Sequence, residues 1–491
     1  MSHPLPFRVF APEPSGAEPA HRVLFGRALA HANRFRDGVD VRPPWPLEGP
    51  ALEALFEGPT PEQGEDGAAV IDALAAAAEP GLAAAAGPNF FGWVIGSSHP
   101  VGVAADMMTS AWGQNAGNHM CSPAAAAAER VAARWLLDIL RLPETCSVGY
   151  VTGATMAGFV CLAAARGAVL RRVGWDVEAR GLTGAPPVRV FVGADAHITI
   201  ISALRYLGLG SRPTRVPTDG QGRMSAAALT QALAAGEGPA IVVAQAGQIN
   251  TGAFDPFGEI AAACRAHGAW LHVDGAFGLW ARAVPEFERL VAGLEEADSW
   301  SVDGHKWLQL PYDSGFAIVK HREAHQRAMS VSASYLPAAD EDTYDPGQFV
   351  PELSRRARGF ACWAMLKALG RDGIARMVRG HCAMTRRLAE RLAAEPGIEV
   401  LNEAHLNQLV VAFGGDDELT RAVIARLRAE NEQLALGAVW KGRWALRISI
   451  ISAPLTVDDV DLLGEAIVRA WRRVRDRATI PSNPTTGANR P

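Results

Sequence analysis

The residues of this chain best suited to chemistry are Lys306, Asp274, His197 and a run of small and hydroxylated residues ahead of them. Lysine is scarce, four residues against forty-three arginines, and Lys306 stands in Ser301-Val302-Asp303-Gly304-His305-Lys306-Trp307, between an apolar strand-like run and a turn. Arginine keeps its proton at any accessible pH, whereas a buried lysine can lose one and become a nucleophilic amine that forms an imine with an aldehyde. Chance survival of one lysine in an arginine-biased composition is the competing reading, and the neighbours decide between the two.

Thirty-two residues upstream, Trp270-Leu271-His272-Val273-Asp274-Gly275-Ala276 reads as an apolar strand that ends in a carboxylate and then small residues. A parallel strand delivers an acid to a site at its carboxyl end in this way. A buried Asp274 needs a cationic partner, and a protonated pyridine nitrogen would serve. Phe191-Val192-Gly193-Ala194-Asp195-Ala196-His197 is again an apolar strand, closing on a ring that could stack on a flat cofactor or simply hydrogen-bond in the structure. Before it, Gly149-Tyr150-Val151-Thr152-Gly153-Ala154-Thr155-Met156-Ala157-Gly158 opens an Ala-rich helical run, where free N–H groups and the helix dipole favour a phosphate. Close packing would also explain such small residues. Phosphate cradle, stacking ring, strand-end Asp and imine Lys, in that order, are the four parts that pyridoxal 5'-phosphate requires.

With these parts in place the sequence resembles the pyridoxal-phosphate-dependent group II amino-acid decarboxylases, which include the aromatic-amino-acid and glutamate decarboxylases. The resemblance covers roughly residues 85 to 470. It is carried by His305-Lys306-Trp307, by His272-Val273-Asp274 with Ala276, by Asp195-Ala196-His197, and by Phe90-Phe91-Gly92 with Ser122-Pro123 after it. It implies that Lys306 is the Schiff-base lysine, Asp274 the partner of the pyridine nitrogen and His197 the stacking ring, with Ala276 against the opposite face. It implies further that Ala154 and Thr155 bind the phosphate, that His305 lies close to the imine, and that Asn250, in Gly247-Gln248-Ile249-Asn250-Thr251-Gly252, lies in the loop meeting the ring hydroxyl. Two positions depart from the family pattern. Gly275 stands where many relatives have Ala, and Asp303 where several have a phosphate-contacting Asn. A carboxylate would repel the phosphate, so Asp303 is expected to cap or pair locally.

The segment from Ser334-Tyr335-Leu336 to about Pro351, rich in Pro, Asp and Gly, reads as a mobile surface loop. In the family, a Tyr 29 residues after the lysine helps protonate the carbanion left by loss of carbon dioxide, and a Phe there accompanies aldehyde formation. Tyr335 therefore favours decarboxylation. Pocket candidates are Phe90, Phe91, Trp93 and Trp112, with polar Gln114, Asn115 and His119; a core role for the aromatics is the alternative. No basic cluster in this stretch asks for a second carboxylate, which points to an aromatic or apolar amino acid as substrate. An aminotransferase or an aldehyde-forming relative of the same fold, and a non-catalytic cofactor-binding protein, are the alternatives to a carboxy-lyase.

The secondary structure around these residues is read from pattern. The chain has 491 residues, 49% of them hydrophobic, enough for a large core and more than one domain. Strand patterns at Val188–Val192, Ala240–Ala244, Trp270–Val273 and Gly315–Val319 alternate with helical runs over residues 86–350, as in an α/β layer. The resemblance implies a fold-type I pyridoxal-phosphate enzyme, with a large domain built on a mainly parallel seven-stranded sheet. Residues 351–478, with a long helical run around Phe360–Leu369 and strand patterns at Leu409–Phe413 and Ala445–Ile450, suggest a small α+β domain. There Arg447 could hold a substrate carboxylate or a structural ion pair. Residues 1–85 are read as a helical segment that wraps a partner subunit in a homodimer, and 479–491 as a disordered tail. A net charge of −5 with interspersed signs excludes a nucleic-acid footprint. The six scattered cysteines suit buried thiols in a reducing compartment better than a metal site, and neither a leader nor a membrane span is evident, so a cytoplasmic enzyme is expected.

Overall fold

The computed structural model describes residues 19–331 and 344–478. It divides into two compact units, residues 1–84 and 85–491. In the first, helix Ala20–Asp37 packs on helix Gly67–Ala78. Asp66 caps the second helix by accepting from the N–H groups of Ala68 and Ala69, and Asp72 on its outer turn takes both Arg27 and His31. Neither helix has a buried residue, so what holds them is this polar pairing and a partial apolar face, Val23, Leu29, Val70 and Leu74 remaining exposed.

The second unit is built on a seven-stranded sheet. Its strands are β1 (Ser147–Val151), β2 (Arg189–Gly193), β3 (Thr214–Val216), β4 (Ala240–Gln245), β5 (Trp270–Asp274), β6 (Ser299–Asp303) and β7 (Gly315–Val319), in the spatial order β1-β7-β6-β5-β4-β2-β3. Only β7 runs against its neighbours; the pairs β2–β3, β2–β4, β4–β5 and β5–β6 are parallel. The interior strand β4, Ala-Ile-Val-Val-Ala-Gln, is buried at every position, which is the signature of a parallel strand covered on both faces. Helix Ala154–Arg171 covers one face. It is apolar and long enough to cross a membrane, yet 67% of it is buried against the sheet, where Val160, Cys161 and Ala164 are fully enclosed. The consequence for function is that β1, β2, β4, β5 and β6 all end on one edge of the sheet, where ligands bind in such folds.

The C-terminal part forms an antiparallel sheet of β8 (Ile398–Val400), β9 (Gln408–Phe413), β10 (Leu436–Trp440) and β11 (Arg443–Ser449), ordered β10-β11-β9-β8. Alternation along β11 sends Leu446 and Ile448 into a core with helices Asp417–Glu430 and Val457–Ala478, and leaves Ala445 and Arg447 on the other face. Helix Gly359–Ala393 bridges the two sheets and breaks at Gly370, whose φ of 61° suits only a residue without Cβ. Its Cys362 and Met365 lie in the core under the large sheet and its Leu388 and Leu392 in the C-terminal core, so one helix belongs to both cores.

The segment leading to Pro351 departs from expectation. It is not surface loop over its second half: Phe349 and Val350 are buried, and His325 holds the Phe349 carbonyl through Nε2 at 2.9 Å. Pro and Gly at 346 and 347 make a short 3-10 turn that carries this aromatic into the core. Tyr335 lies outside the described residues.

Candidate active site

Five backbone ends meet at the sheet edge. Lys306 follows β6 by three residues, and its Nζ stands 2.8 Å from Asp303 Oδ2 and 5.9 Å above the Phe277 ring. Asp303 is the last residue of β6 and is buried; its Oδ1 accepts from the Ala154 N–H at 2.5 Å. It thus caps the helix that the sequence marks as a phosphate cradle and pairs with the lysine, the local role expected of it. His305 is fixed by the Ser314 N–H, which donates to Nδ1 at 3.2 Å. Its proton therefore resides on Nε2, 3.4 Å from Asp303 Oδ1. Tyr312 stacks on the imidazole at 4.3 Å and is half exposed at the mouth of the site.

Asp274 ends β5 and is buried. Its Oδ1 accepts from Ser301 Oγ and from the Ala276 N–H, each at 3.3 Å. Burial raises its pKa, against the lowering charges of His197 and Lys306. Behind it runs a polar line that the sequence reading missed. Ser301 reaches His272 Nε2 at 3.5 Å, His272 Nδ1 reaches Ser299 Oγ at 3.0 Å, and Ser299 also accepts from Trp270 Nε1 at 2.9 Å. The signal for it was present: Ser299, Ser301 and Asp303 alternate on β6, and Trp270, His272 and Asp274 alternate on β5, so each set shares a face.

His197 caps helix Ile198–Tyr206, its Nδ1 taking the Thr199 N–H at 3.4 Å and facing Thr199 Oγ1 at 2.8 Å. Burial lowers its pKa, which favours a neutral flat ring. Two residues earlier, Asp195 is held by Lys441 of the β10–β11 turn, Nζ to Oδ2 at 2.7 Å. Glycines let the backbone close in: a Cβ on Gly96 would lie 2.4 Å from the His305 carbonyl, and one on Gly153 would lie 2.9 Å from the His305 ring.

The loop 247–252 differs in detail from expectation. Asn250 uses its backbone N–H on Gln248 Oε1 at 2.6 Å, and it is the buried Gln248 that reaches the Asp195 carbonyl beside His197, at 3.4 Å. Of the pocket aromatics, Phe91 is fully enclosed in the C-terminal core, while Trp93 and Trp112 are half exposed. Asn115 is spent on the backbone of Gly117 and Arg355. Arg447 looks out from β11 with a buried Nε that has no hydrogen-bond partner among the described residues, and burial lowers its pKa. Its charge and that of Lys306 are the two cations felt by the His197 ring.

The donor set fits pyridoxal phosphate. A lysine, a buried carboxylate, a neutral imidazole and the start of an 18-residue helix, Ala154–Arg171, converge on one sheet edge. The family model described as the pyridoxal-dependent decarboxylase conserved domain matches residues 50–413, and the chain belongs to that family. It is 28% identical over 466 residues to rat aromatic-L-amino-acid decarboxylase, covering 91% of this chain and 94% of that one. It is also 34% identical over 237 residues to mouse acidic amino acid decarboxylase GADL1, 46% of this chain and 43% of the other. In fold it superposes on the Oryza sativa TDC structure with PLP and tryptamine with a TM-score of 0.87 at 24% identity, over 95% of this chain and 99% of that one. The protein is thus a pyridoxal-phosphate-dependent carboxy-lyase acting on an amino acid, with the fold-type I architecture that the sequence implied.

Proposed function

We propose that the chain decarboxylates an L-amino acid with an aromatic or apolar side chain to the amine, and that it works as a cytoplasmic homodimer with the site at the subunit interface. Lys306 would hold pyridoxal phosphate covalently, Asp274 would face the ring nitrogen, and His197 and Ala276 would clasp the ring. The first amides of the Ala154 helix, at Ala154 and Thr155, would take the phosphate, and the Gln248–Asn250 loop the ring hydroxyl. When bound, the group supplies a conjugated electron sink for the pair released at Cα. Asp274, desolvated and oriented by Ser301, holds a proton at the nitrogen it faces. His305 keeps its Nε2 proton directed into the site, and Tyr335 is assigned the return of a proton to Cα.

The observation that carries the substrate class is the inventory of cations. With Lys306 committed, Arg447 is the remaining cation felt at the ring site, and it lacks an anionic partner among the described residues. One guanidinium suits one carboxylate, that of the amino acid itself; a second carboxylate on the side chain would go unmatched. Exposed Trp93, Met107, Met108, Trp112 and Met120 in the second unit support a partner surface.

Carbon dioxide release from each of the twenty L-amino acids tests this reading. Aromatic or apolar substrates should exceed glutamate and aspartate in kcat/KM by about 100-fold or more, on the scale that an unmatched polar group costs. Preference for a dicarboxylic amino acid would overturn it. Sedimentation should give twice the monomer mass, and a fully active monomer would refute the dimer.

A further inference from the structure

Asp303 is an anion in a place where the cofactor brings another. Its carboxylate is 4% exposed and holds both the first amide of the Ala154 helix and the ammonium of Lys306. Its backbone is fixed as well: the N–H donates to the Ala276 carbonyl at 2.9 Å, and the carbonyl accepts from Trp280 Nε1 at 3.0 Å. The side chain cannot retreat without breaking this frame. The first turn of the Ala154 helix carries no acidic residue of its own, so Asp303 is the anion that its dipole sees.

We propose that Asp303 makes capture of the phosphate a proton-linked step: the phosphate and the Asp303 carboxylate contend for one helix end, and the pair settles there only after taking up one proton. The inference rests on the reading of the Ala154 helix as the phosphate's seat. The charged and titratable groups around Asp303 are Lys306 and His305 beyond its own strand, Asp274 on β5, His197 in the turn after β2 and Tyr312 in the turn before β7. Lys306 and Asp274 oppose one another in charge, and His197 and His305 are driven neutral by burial. Around Asp303 the neighbours therefore do not offer a second net cation to offset a phosphate dianion. A phosphate monoester has its second pKa near 6, so the phosphate itself can hold the shared proton.

If binding takes up a proton, affinity gained from the phosphate falls as pH rises. Formation of the covalent bond to Lys306 has its own pH dependence, but pyridoxal, which lacks the phosphate, shares it; the ratio of the two affinities isolates the phosphate. Titration of the apoprotein with each compound, followed by absorbance and by tryptophan fluorescence, gives this ratio. In the parent it should fall by about 50-fold to 100-fold between about pH 6.5 and pH 8.5. In Asp303→Asn, which keeps an oxygen for the Ala154 amide, the ratio should be flat or rise, and pyridoxal phosphate should bind more tightly than to the parent at the upper pH. Asp303→Ala should share the flat profile, which separates charge from side-chain fit. A parent ratio independent of pH, or an Asn variant with the parent's slope, overturns the inference while the seat itself stands. Equal affinity for the two compounds in every protein would instead remove the seat.

Discussion

Burial raises the pKa of the Asp274 carboxyl, so its ionisation depends on what faces it. Ser301, the Ala276 amide and the charge of Lys306 oppose the pull of burial, and a protonated ring nitrogen would complete the balance. Asp274→Asn keeps the shape and removes the charge. It should lower kcat by about 10²–10³-fold or more, the scale of a lost preorganised electrostatic contact, with an unchanged circular dichroism spectrum. Near-normal turnover would refute the role. Tyr335, beyond the described residues, is proposed to act in the step after carbon dioxide loss. A phenol that returns a proton to Cα also denies oxygen the time to react. Tyr335→Phe should bind substrate normally and yield less amine and more aldehyde, ammonia and hydrogen peroxide; an unchanged amine-to-aldehyde ratio contradicts this. At this scale the sequence was most legible where strands end. The place of Asp274 was readable because an apolar strand has a defined last residue, and Lys306 and His197 follow strand ends by three and four residues. The inward side of the 247–252 loop was less legible, because a loop has no period to say which side chain turns inward. For Phe91 the sequence left pocket and core both open, because an aromatic in an irregular segment looks the same in either, and the structure puts it in the core.

Among the elements, the segment 344–358 ties the end of the Tyr335 stretch to the body of the protein. Arg355 makes a two-pronged bond with Glu129 of helix Pro123–Ile139, both distances 2.8 Å, and both side chains are 1% exposed. Its backbone is pinned by Asn115, and the Ala116 N–H donates to its carbonyl. Removing one member of such a pair leaves a buried charge uncompensated. Arg355→Ala should cost about 3–5 kcal/mol in urea unfolding, more than the double replacement Glu129→Gln with Arg355→Met, which removes both charges. Equal losses would show that packing, not charge, dominates. The sheet elements were legible to within a residue or two, since apolar parallel strands announce themselves. The bridging helix Gly359–Ala393 was legible only as a helical run around Phe360–Leu369, since the break at Gly370 is one glycine among 49.

For the molecule as a whole, acid stability depends on three histidines buried at different depths of the fold. Desolvation lowers His272 and His325 to about 3 and His381 to about 4. Each hydrogen-bonds as a neutral ring, to Ser299, to the Phe349 carbonyl and to the Ser452 carbonyl respectively. The unfolded chain binds these protons at a pKa of about 6.5, so between that value and the folded values it holds more protons than the native state. Stability is then fully present above about pH 6.5 and is lost as pH falls towards 4. Thermal midpoints measured across this range should fall with acid, and less steeply in His325→Gln; a flat profile would contradict the burial. The architecture was legible from the alternation of strands and helices, but this coupling of depth to protonation was not, since sequence does not say which histidines are enclosed.

Because lysine is so scarce, the covalent role of Lys306 can be measured directly. The holoenzyme can be reduced with borohydride, digested and mapped by mass spectrometry across Lys306, Lys320, Lys367 and Lys441. The pyridoxyl mass should appear on Lys306 alone, with the visible band lost in Lys306→Ala. Labelling on any of the other three, or a reducible band that survives in Lys306→Ala, would contradict the assignment on which the whole site is built.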